Sequence, residues 1–141
     1  MSWMLVATLG LAACERLDTA IDPVWGKEPC GHCAMLVGDR RHAAQVVADG
    51  TRRFFDDIGC FVLWAEEHPG AMQKAWVRDA EAGRWIDART ASYVHGARTP
   101  MDFGFEARAV SAPDDGAVSF EAMRAAVVNR ARREGSERSG R

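Results

Sequence analysis

Residues 30–35 read CGHCAM, so that two thiols, one imidazole and one thioether fall within six consecutive positions. Cysteine and methionine are soft ligands, and a site that combines them favours Cu(I), zinc or an iron–sulfur cluster. The thioether narrows this choice, because zinc and iron–sulfur sites use thiolate or imidazole ligands instead of methionine. The stretch therefore predicts a site for Cu(I), and the rest of the chain has to supply further ligands and a scaffold.

The composition is that of a globular protein with one domain or two small modules. The chain has 141 residues, of which 48% are hydrophobic and 27% are charged, and this is enough apolar material for a core. The net charge of −2 lacks the basic footprint of a nucleic-acid-binding protein. We therefore expect no nucleic acid among the partners.

The N-terminus has the pattern of a bacterial lipoprotein signal. Residues 1–10 carry no charged side chain, and the sequence LAAC that ends at Cys14 follows them. The apolar run is too short to span a bilayer, and the small residues before the cysteine are similar to a lipobox, in which the cysteine is lipidated. We predict a signal sequence over 1–14 and a periplasmic protein that Cys14 anchors to a membrane. Glu15 favours the outer membrane, and a buried cysteine in an apolar N-terminus is the alternative.

The number of cysteines favours a free thiol. A lipidated Cys14 leaves Cys30, Cys33 and Cys60, and three thiols cannot all be paired within the chain. A free thiol is unusual in the oxidising periplasm, and metal ligation is one reason to keep it. Cys60 lies in an apolar stretch with helical spacing, and we interpret it as an inert buried thiol.

The dipeptide Asp49-Gly50 predicts a tight β-hairpin, because glycine tolerates the positive φ that a two-residue turn requires. Strands are predicted over 42–48 and 52–55 on its two sides. Apolar residues then recur at helical spacing, and this helix should end at His68, which a Pro-Gly pair follows.

The remaining elements are less strongly patterned. Asp56 and Asp57 resemble paired carboxylates, but a helix cap explains them more simply. Residues 15–29 show no periodicity and predict a tether, and residues 133–141 alternate charge with Gly and Ser and predict a disordered tail. Further strands are predicted over 74–78, 84–88, 105–110 and 117–120, and a second helix over 121–132.

Two segments of the chain echo each other. Met35 lies fifteen residues before Gly50, and Met101 lies fifteen residues before Gly116; each of these glycines follows an aspartate in an Asp-Gly pair. Chance is the alternative, because Asp-Gly turns are common. The pattern predicts an α+β fold of two small related ββα(β) modules packed together, with antiparallel strands and one main helix each. Such packing would bring Met101 towards Cys33. The modules span about 30–79 and 84–132 within a domain over 30–132.

Four short motifs follow the lipobox in order: CGHCAM at 30–35, FFDDIG at 54–59, WIDA at 85–88 and TPM at 99–101. Together they resemble the motifs of the NosL family. The resemblance covers about residues 11–123. It implies a copper-binding lipoprotein that takes part in the maturation of nitrous oxide reductase, with a fold of two ββαβ-type modules.

The resemblance also implies the metal ligands. The Cys-x-Met pair of the family falls on Cys33 and Met35, and its downstream methionine falls on Met101. One thiolate with two thioethers would hold Cu(I) at low net charge and release it by ligand exchange. In an extended segment Met35 lies on the same face as Cys33, and His32 faces away. Candidates for a fourth ligand are Cys30, His32 and His95.

Other functions fit the sequence less well. Cys30 and Cys33 could serve a thiol–disulfide oxidoreductase, but residues 35–39 do not open the helix that activates such a pair. A structural zinc site needs a second close Cys or His pair, and the sequence has none. An organomercurial lyase needs a carboxylate proton donor, and the motif over 30–35 contains no carboxylate. Met35 and Met101, each taken alone, could be core residues. We expect a metallochaperone without enzymatic activity that delivers Cu(I) to nitrous oxide reductase or another periplasmic copper protein.

Overall fold

The computed structural model describes residues 16–110 and 115–141. The predicted signal sequence over 1–14 and its Cys14 lie outside the described residues. The described part of the chain forms six strands and two helices. In chain order these are β1 (Ala44–Ala48), β2 (Thr51–Phe55), α1 (Ile58–Glu67), β3 (Met72–Arg78), β4 (Trp85–Asp87), β5 (Ser92–His95), β6 (Phe105–Arg108) and α2 (Phe120–Ser139).

The first sheet is antiparallel and has the strand order β2-β1-β3-β4. Its inner strand β1 is buried along its whole length and pairs with β2 so that Ala44 lies opposite Phe55. The predicted hairpin is confirmed. Asp49 has a φ of 49° and Gly50 a φ of 70°, and both angles lie in the left-handed region that such a two-residue turn requires.

Helix α1 packs on this sheet through aromatic side chains. Phe55 at the end of β2 lies with its ring centroid 6.0 Å from that of Phe61 and 5.8 Å from that of Trp64. Helix α2 adds Phe120, whose ring centroid is 6.1 Å from that of Phe61. Buried residues of β5 and β6, among them Tyr93 and Phe105, belong to the same core as those of the first sheet and the two helices. This core fixes the start of α1 beside the end of β2.

The second sheet contains β5 and β6, which pair antiparallel. The sequence predicts a further strand over 117–120, but Val118 makes an isolated bridge with Tyr93. Ser119 then caps α2 by accepting a hydrogen bond from Ala122 N–H, so the helix begins before a strand can extend. The two antiparallel sheets and the two helices confirm the α+β class.

The secondary structure differs from the prediction at the module boundary and at the C-terminus. Strand β4 falls in the second predicted module, yet it pairs with β3 of the first sheet. Helix α2 continues to Ser139, although a disordered tail is predicted over 133–141. Arg130 Nε lies 2.8 Å from Glu134 Oε1, and such i,i+4 pairs stabilise a helix in a stretch whose composition otherwise indicates disorder.

Residues 16–29, which are predicted to be a tether, lie against the first sheet. The side-chain amide of Gln45 is hydrogen-bonded to the backbone N–H and carbonyl of Ile21, at 3.2 and 2.8 Å. Trp85 Nε1 donates to Asp22 Oδ1 at 2.8 Å. Single hydrogen bonds, and not a regular element, therefore hold the segment in place, so its sequence needs no periodicity. Within the described ranges, no helix is both long enough and apolar enough to cross a membrane.

Candidate metal centre

Residues 30–35 form a closed loop beside the end of β2. Cys30 N–H donates to the Met35 carbonyl at 2.7 Å, and Ala34 N–H donates to the Cys30 carbonyl at 3.1 Å. Ala34 has a φ of 62°, which is a strained conformation for a residue with a Cβ. The loop is therefore not extended, as the placement of Met35 on the same face as Cys33 required, and that expectation is wrong.

The end of β2 holds this loop in place. Gly31 N–H donates to the Phe54 carbonyl at 2.8 Å. A Cβ on Gly31 would lie 3.0 Å from Cε1 of Phe55, so glycine allows the loop to approach the ring closely. On the far side of the loop, Asp56 Oδ1 accepts a hydrogen bond from Gly38 N–H at 2.8 Å. These contacts bring the two loop cysteines to the start of α1.

Three thiols converge at this point. The sulfur atoms of Cys30, Cys33 and Cys60 all lie within 4.8 Å of one another. Cys30 is 4% exposed and Cys60 is fully buried, whereas Cys33 is half-buried. The prediction that Cys60 is buried is confirmed, but it is not isolated, since it completes a cluster that could hold a metal ion. The odd number of cysteines is the signal in the sequence that could have identified it, although Cys60 was expected to be inert.

The cluster favours a single thiolate. A hydrogen bond from Cys60 is the main cause that lowers the pKa of Cys30 to about 5, and the backbone N–H groups of Cys33, His32 and Asp56 act in the same direction, against burial. Burial is the main cause that raises the pKa of Cys33. The hydrogen bond with Cys30 raises the pKa of Cys60 far above its usual range. The first anion of the centre is therefore Cys30, and not Cys33, which the sequence pattern favoured.

The two predicted methionine ligands lie in different surroundings. Met35 is 56% exposed on the same loop as two of the thiols. Met101 is partly buried against the core, and its N–H donates to Asp57 Oδ2 at 2.9 Å. Asp57 also caps α1, the helix that carries Cys60. The structure thus places the Met101 segment at the start of α1, and ligation by either methionine stays a prediction.

The two histidines considered as fourth ligands also differ in position. His32 belongs to the loop, and its Nδ1 lies 3.7 Å from Glu67 Oε2. His95 lies in the second sheet, where its ring packs edge-on against Phe105 with 4.8 Å between the centroids. It lines a cavity of about 350 Å³ whose lining includes none of the clustered thiols. His32 is therefore the histidine that the fold keeps beside the cluster.

The chain matches the model of a known protein family. The model of the NosL family matches residues 23–132 of the 141-residue chain. The chain belongs to the NosL family. The match spans the thiol loop, α1 and the segment that carries Met101, and it confirms the resemblance seen in the sequence.

A solved structure shares the NosL fold of this chain. The crystal structure of the copper chaperone NosL from Shewanella denitrificans is similar with a TM-score of 0.57 and 16% sequence identity, and the alignment covers 65% of this chain and 80% of that one. At this identity the likeness concerns the fold. A comparison with curated proteins finds no match.

The donor atoms of the centre fit a soft metal ion. Thiolate ligands favour Cu(I), zinc and iron–sulfur clusters, and three thiols converge here. The carboxylates of Asp56 and Asp57 are hydrogen-bonded to the backbone. Both oxygens of Asp57 and Oδ1 of Asp56 accept hydrogen bonds from backbone N–H groups. The cluster therefore offers sulfur atoms as metal ligands, whereas the two aspartates beside it hold the backbone in place.

Proposed function

We propose that this NosL-family protein binds Cu(I) at the cluster of Cys30, Cys33 and Cys60 and acts as a metallochaperone without enzymatic activity. The convergence of the three sulfur atoms within 4.8 Å is the observation that carries the proposal. The similar solved structure is a copper chaperone, which supports the choice of metal. The proposed recipient is nitrous oxide reductase or another periplasmic copper protein, as the family resemblance implies.

Binding would begin at the thiol that most readily loses its proton. The lowered pKa of Cys30 provides an anion for Cu(I), and ligation by Cys33 and Cys60 would displace protons from the other two thiols. Met35 and Met101 remain the predicted thioether ligands. Thioethers bind Cu(I) without adding charge, so they suit the steps in which copper arrives and leaves.

The exposure of the sulfur ligands suggests a route for transfer. Met35 is largely exposed, Cys33 is half-buried, and Cys30 and Cys60 are buried. A ligand of the recipient protein would therefore meet Met35 and Cys33 first. Copper could pass outwards by stepwise ligand exchange through Cys33, without unfolding of the buried part of the centre.

We also propose that a lipid on Cys14 anchors the protein in the periplasm, at the outer membrane. The sequence pattern at 11–14 supports this, although it lies outside the described residues. Arg52 Nη2 donates to the Arg16 carbonyl at 2.7 Å, so the chain is already held against the first sheet close to the predicted anchor. A lipidated protein would then lie close to the membrane instead of standing off it on a long tether.

The first test is an anaerobic Cu(I) titration against a colorimetric chelator. The protein would be the chain that begins at Glu15, compared with Cys33→Ser and with Met72→Ala, which removes a methionine of β3 outside the centre. We expect one copper per chain, and an affinity that Cys33→Ser lowers by more than about a hundredfold, because losing a ligand costs more than losing one of its hydrogen-bond partners. Met72→Ala should bind copper normally. A wild-type protein that binds no Cu(I) would contradict the proposal.

Thiol–disulfide exchange is the second candidate, because the lowered pKa of Cys30 is typical of a reactive thiol. Two observations count against it. Cys30 is 4% exposed, and the loop over 30–35 does not open a helix. An exchange rate with a small disulfide that equals that of an ordinary buried thiol would exclude this function.

A further inference from the structure

We propose that Asp57 is a positioning residue of the metal centre, which fixes Met101 against the start of α1, the helix that carries Cys60. This inference rests on the proposed copper function, because Met101 is one of its predicted ligands and Asp57 holds the backbone of Met101 beside the helix that carries Cys60. The placement of Met101 by Asp57 can nevertheless be tested without copper.

Asp57 joins two distant parts of the chain. Its side chain is fully buried, and a buried carboxylate is costly unless hydrogen bonds compensate it. Oδ1 accepts from Gly59 N–H at 2.8 Å, and Oδ2 accepts from Met101 N–H at 2.9 Å, across 44 residues of sequence. Both oxygens are therefore used, and one of the two bonds reaches the backbone of a predicted ligand.

Helix capping alone does not account for this arrangement. An N-cap needs a single side-chain oxygen, and the N-cap of α2 shows it: Ser119 accepts one hydrogen bond from Ala122 N–H at 3.3 Å. At α1 the corresponding bond is the one from Gly59. The second oxygen of Asp57 is additional to the cap, and its partner is Met101.

The segment that presents Met101 is rigid in itself. Asp102 N–H donates to the Thr99 carbonyl at 3.0 Å, which closes a turn in which Pro100 has a fixed φ. The hydroxyl of Thr99 accepts from Gly104 N–H at 3.1 Å. Because these two hydrogen bonds hold residues 99–104 together, the single bond from Met101 N–H to Asp57 positions the whole turn.

A steric contact confirms how closely the segment lies on α1. A Cβ built on Gly59 would be 2.0 Å from Cγ of Phe103, so the ring of Phe103 occupies the space above the first turn of the helix. The Met101 segment is thus pressed onto the helix one residue before Cys60. Asp57 supplies the directional bond that sets where along the helix the segment sits.

The neighbouring aspartate holds the other side of the centre. Asp56 Oδ1 accepts from Gly38 N–H and Asp39 N–H at 2.8 and 3.1 Å. Asp56 therefore holds the segment that follows the loop of residues 30–35, and Asp57 holds the Met101 segment.

The test compares Asp57→Ser, which keeps a capping oxygen but leaves Met101 N–H without its partner, with two other variants. Met101→Ala removes the ligand, and Ser119→Ala removes a cap at the other helix. Cu(I) dissociation constants would be measured by chelator competition. We expect Asp57→Ser to weaken binding about tenfold, as loss of a residue that orients a ligand does, and Ser119→Ala to leave it unchanged. In the Met101→Ala background, Asp57→Ser should have no further effect.

A copper-free measurement separates this inference from the proposed function. In protein labelled at the methionine methyl groups, Asp57→Ser should shift the Met101 methyl NMR signal, and Ser119→Ala should not. An unshifted signal, or effects of Asp57→Ser and Met101→Ala that simply add, would overturn the inference. A wild-type protein that binds no Cu(I) while Asp57→Ser shifts the signal would contradict the proposed function alone. If Asp57→Ser does not fold, Asp57→Asn takes its place, because its side-chain NH2 cannot accept the second hydrogen bond.

Discussion

The sulfur atoms of Cys30 and Cys60 lie within 4.8 Å of each other, although one belongs to a loop before the first strand and the other to the first turn of α1. Their hydrogen bond lowers the pKa of Cys30 and raises that of Cys60. The two residues thus share one negative charge in a buried place. A soft cation is the natural partner of such a charge.

Replacement of Cys60 should weaken copper binding as strongly as replacement of Cys33. Cys60→Ser retains a small polar side chain but removes a soft ligand, so we expect an affinity lower by more than about a hundredfold in a chelator competition. Serine can still donate to Cys30, and the fold should persist in circular dichroism. Equal affinities of wild type and Cys60→Ser would return Cys60 to the inert role that the sequence suggested.

The stability of the copper-free, reduced protein should increase between about pH 5 and pH 9. The pKa of Cys30 is about 5 in the folded protein against an ordinary value of 9.0. The stability that this thiolate contributes is therefore fully present above the ordinary value and is lost as the pH falls through 5. One such group changes the free energy of unfolding by at most about 1.4 kcal/mol per pH unit. Urea titrations with a chelator present should show this slope, and Cys30→Ser should lack it.

The local elements of the fold could be predicted from the sequence because short-range chemistry determines them. The Asp49-Gly50 turn has the φ values that its residues favour, and Asp57 caps α1. The packing of residues 16–29 could not be predicted, because it depends on single bonds such as that between Trp85 and Asp22. Such bonds join residues that lie far apart in sequence and leave no periodic pattern.

The candidate site was predictable in part for the same reason. The CGHCAM motif located Cys30 and Cys33, since both are close in sequence. The third thiol, Cys60, belongs to another element, and its burial looked like that of a core residue. The strained φ of Ala34 could not be foreseen either, because alanine carries no signal for it. With this torsion angle the segment is not extended, so the alternation that would place Met35 on the same face as Cys33 does not apply.

Gly59→Ala should destabilise the protein, since a Cβ there would be 2.0 Å from Cγ of Phe103. We expect a loss of about 1–3 kcal/mol in the free energy of unfolding, as for other overpacked sites. Gly135→Ala is the matched control, because it lies in α2, where the added Cβ meets nothing within 4 Å apart from its chain neighbours and the nearby backbone of its own helix. It should stabilise the helix by about 0.5–1 kcal/mol. Urea unfolding measures both. A neutral Gly59→Ala would mean that the Met101 segment is not held tightly against α1.

Met35 should matter for copper transfer more than for stability. Its side chain is 56% exposed, as is that of its neighbour Leu36, so Met35→Leu and Leu36→Ala should each change the free energy of unfolding by less than about 0.5 kcal/mol. Met35→Leu keeps the size and apolarity of the side chain but removes its sulfur. If Met35 receives copper from Cys33 on the way out, Met35→Leu should slow the transfer of Cu(I) to an acceptor chelator several-fold in stopped-flow absorbance, whereas Leu36→Ala should not. Equal transfer rates for both variants and wild type would show that copper leaves the thiols directly, without the thioether.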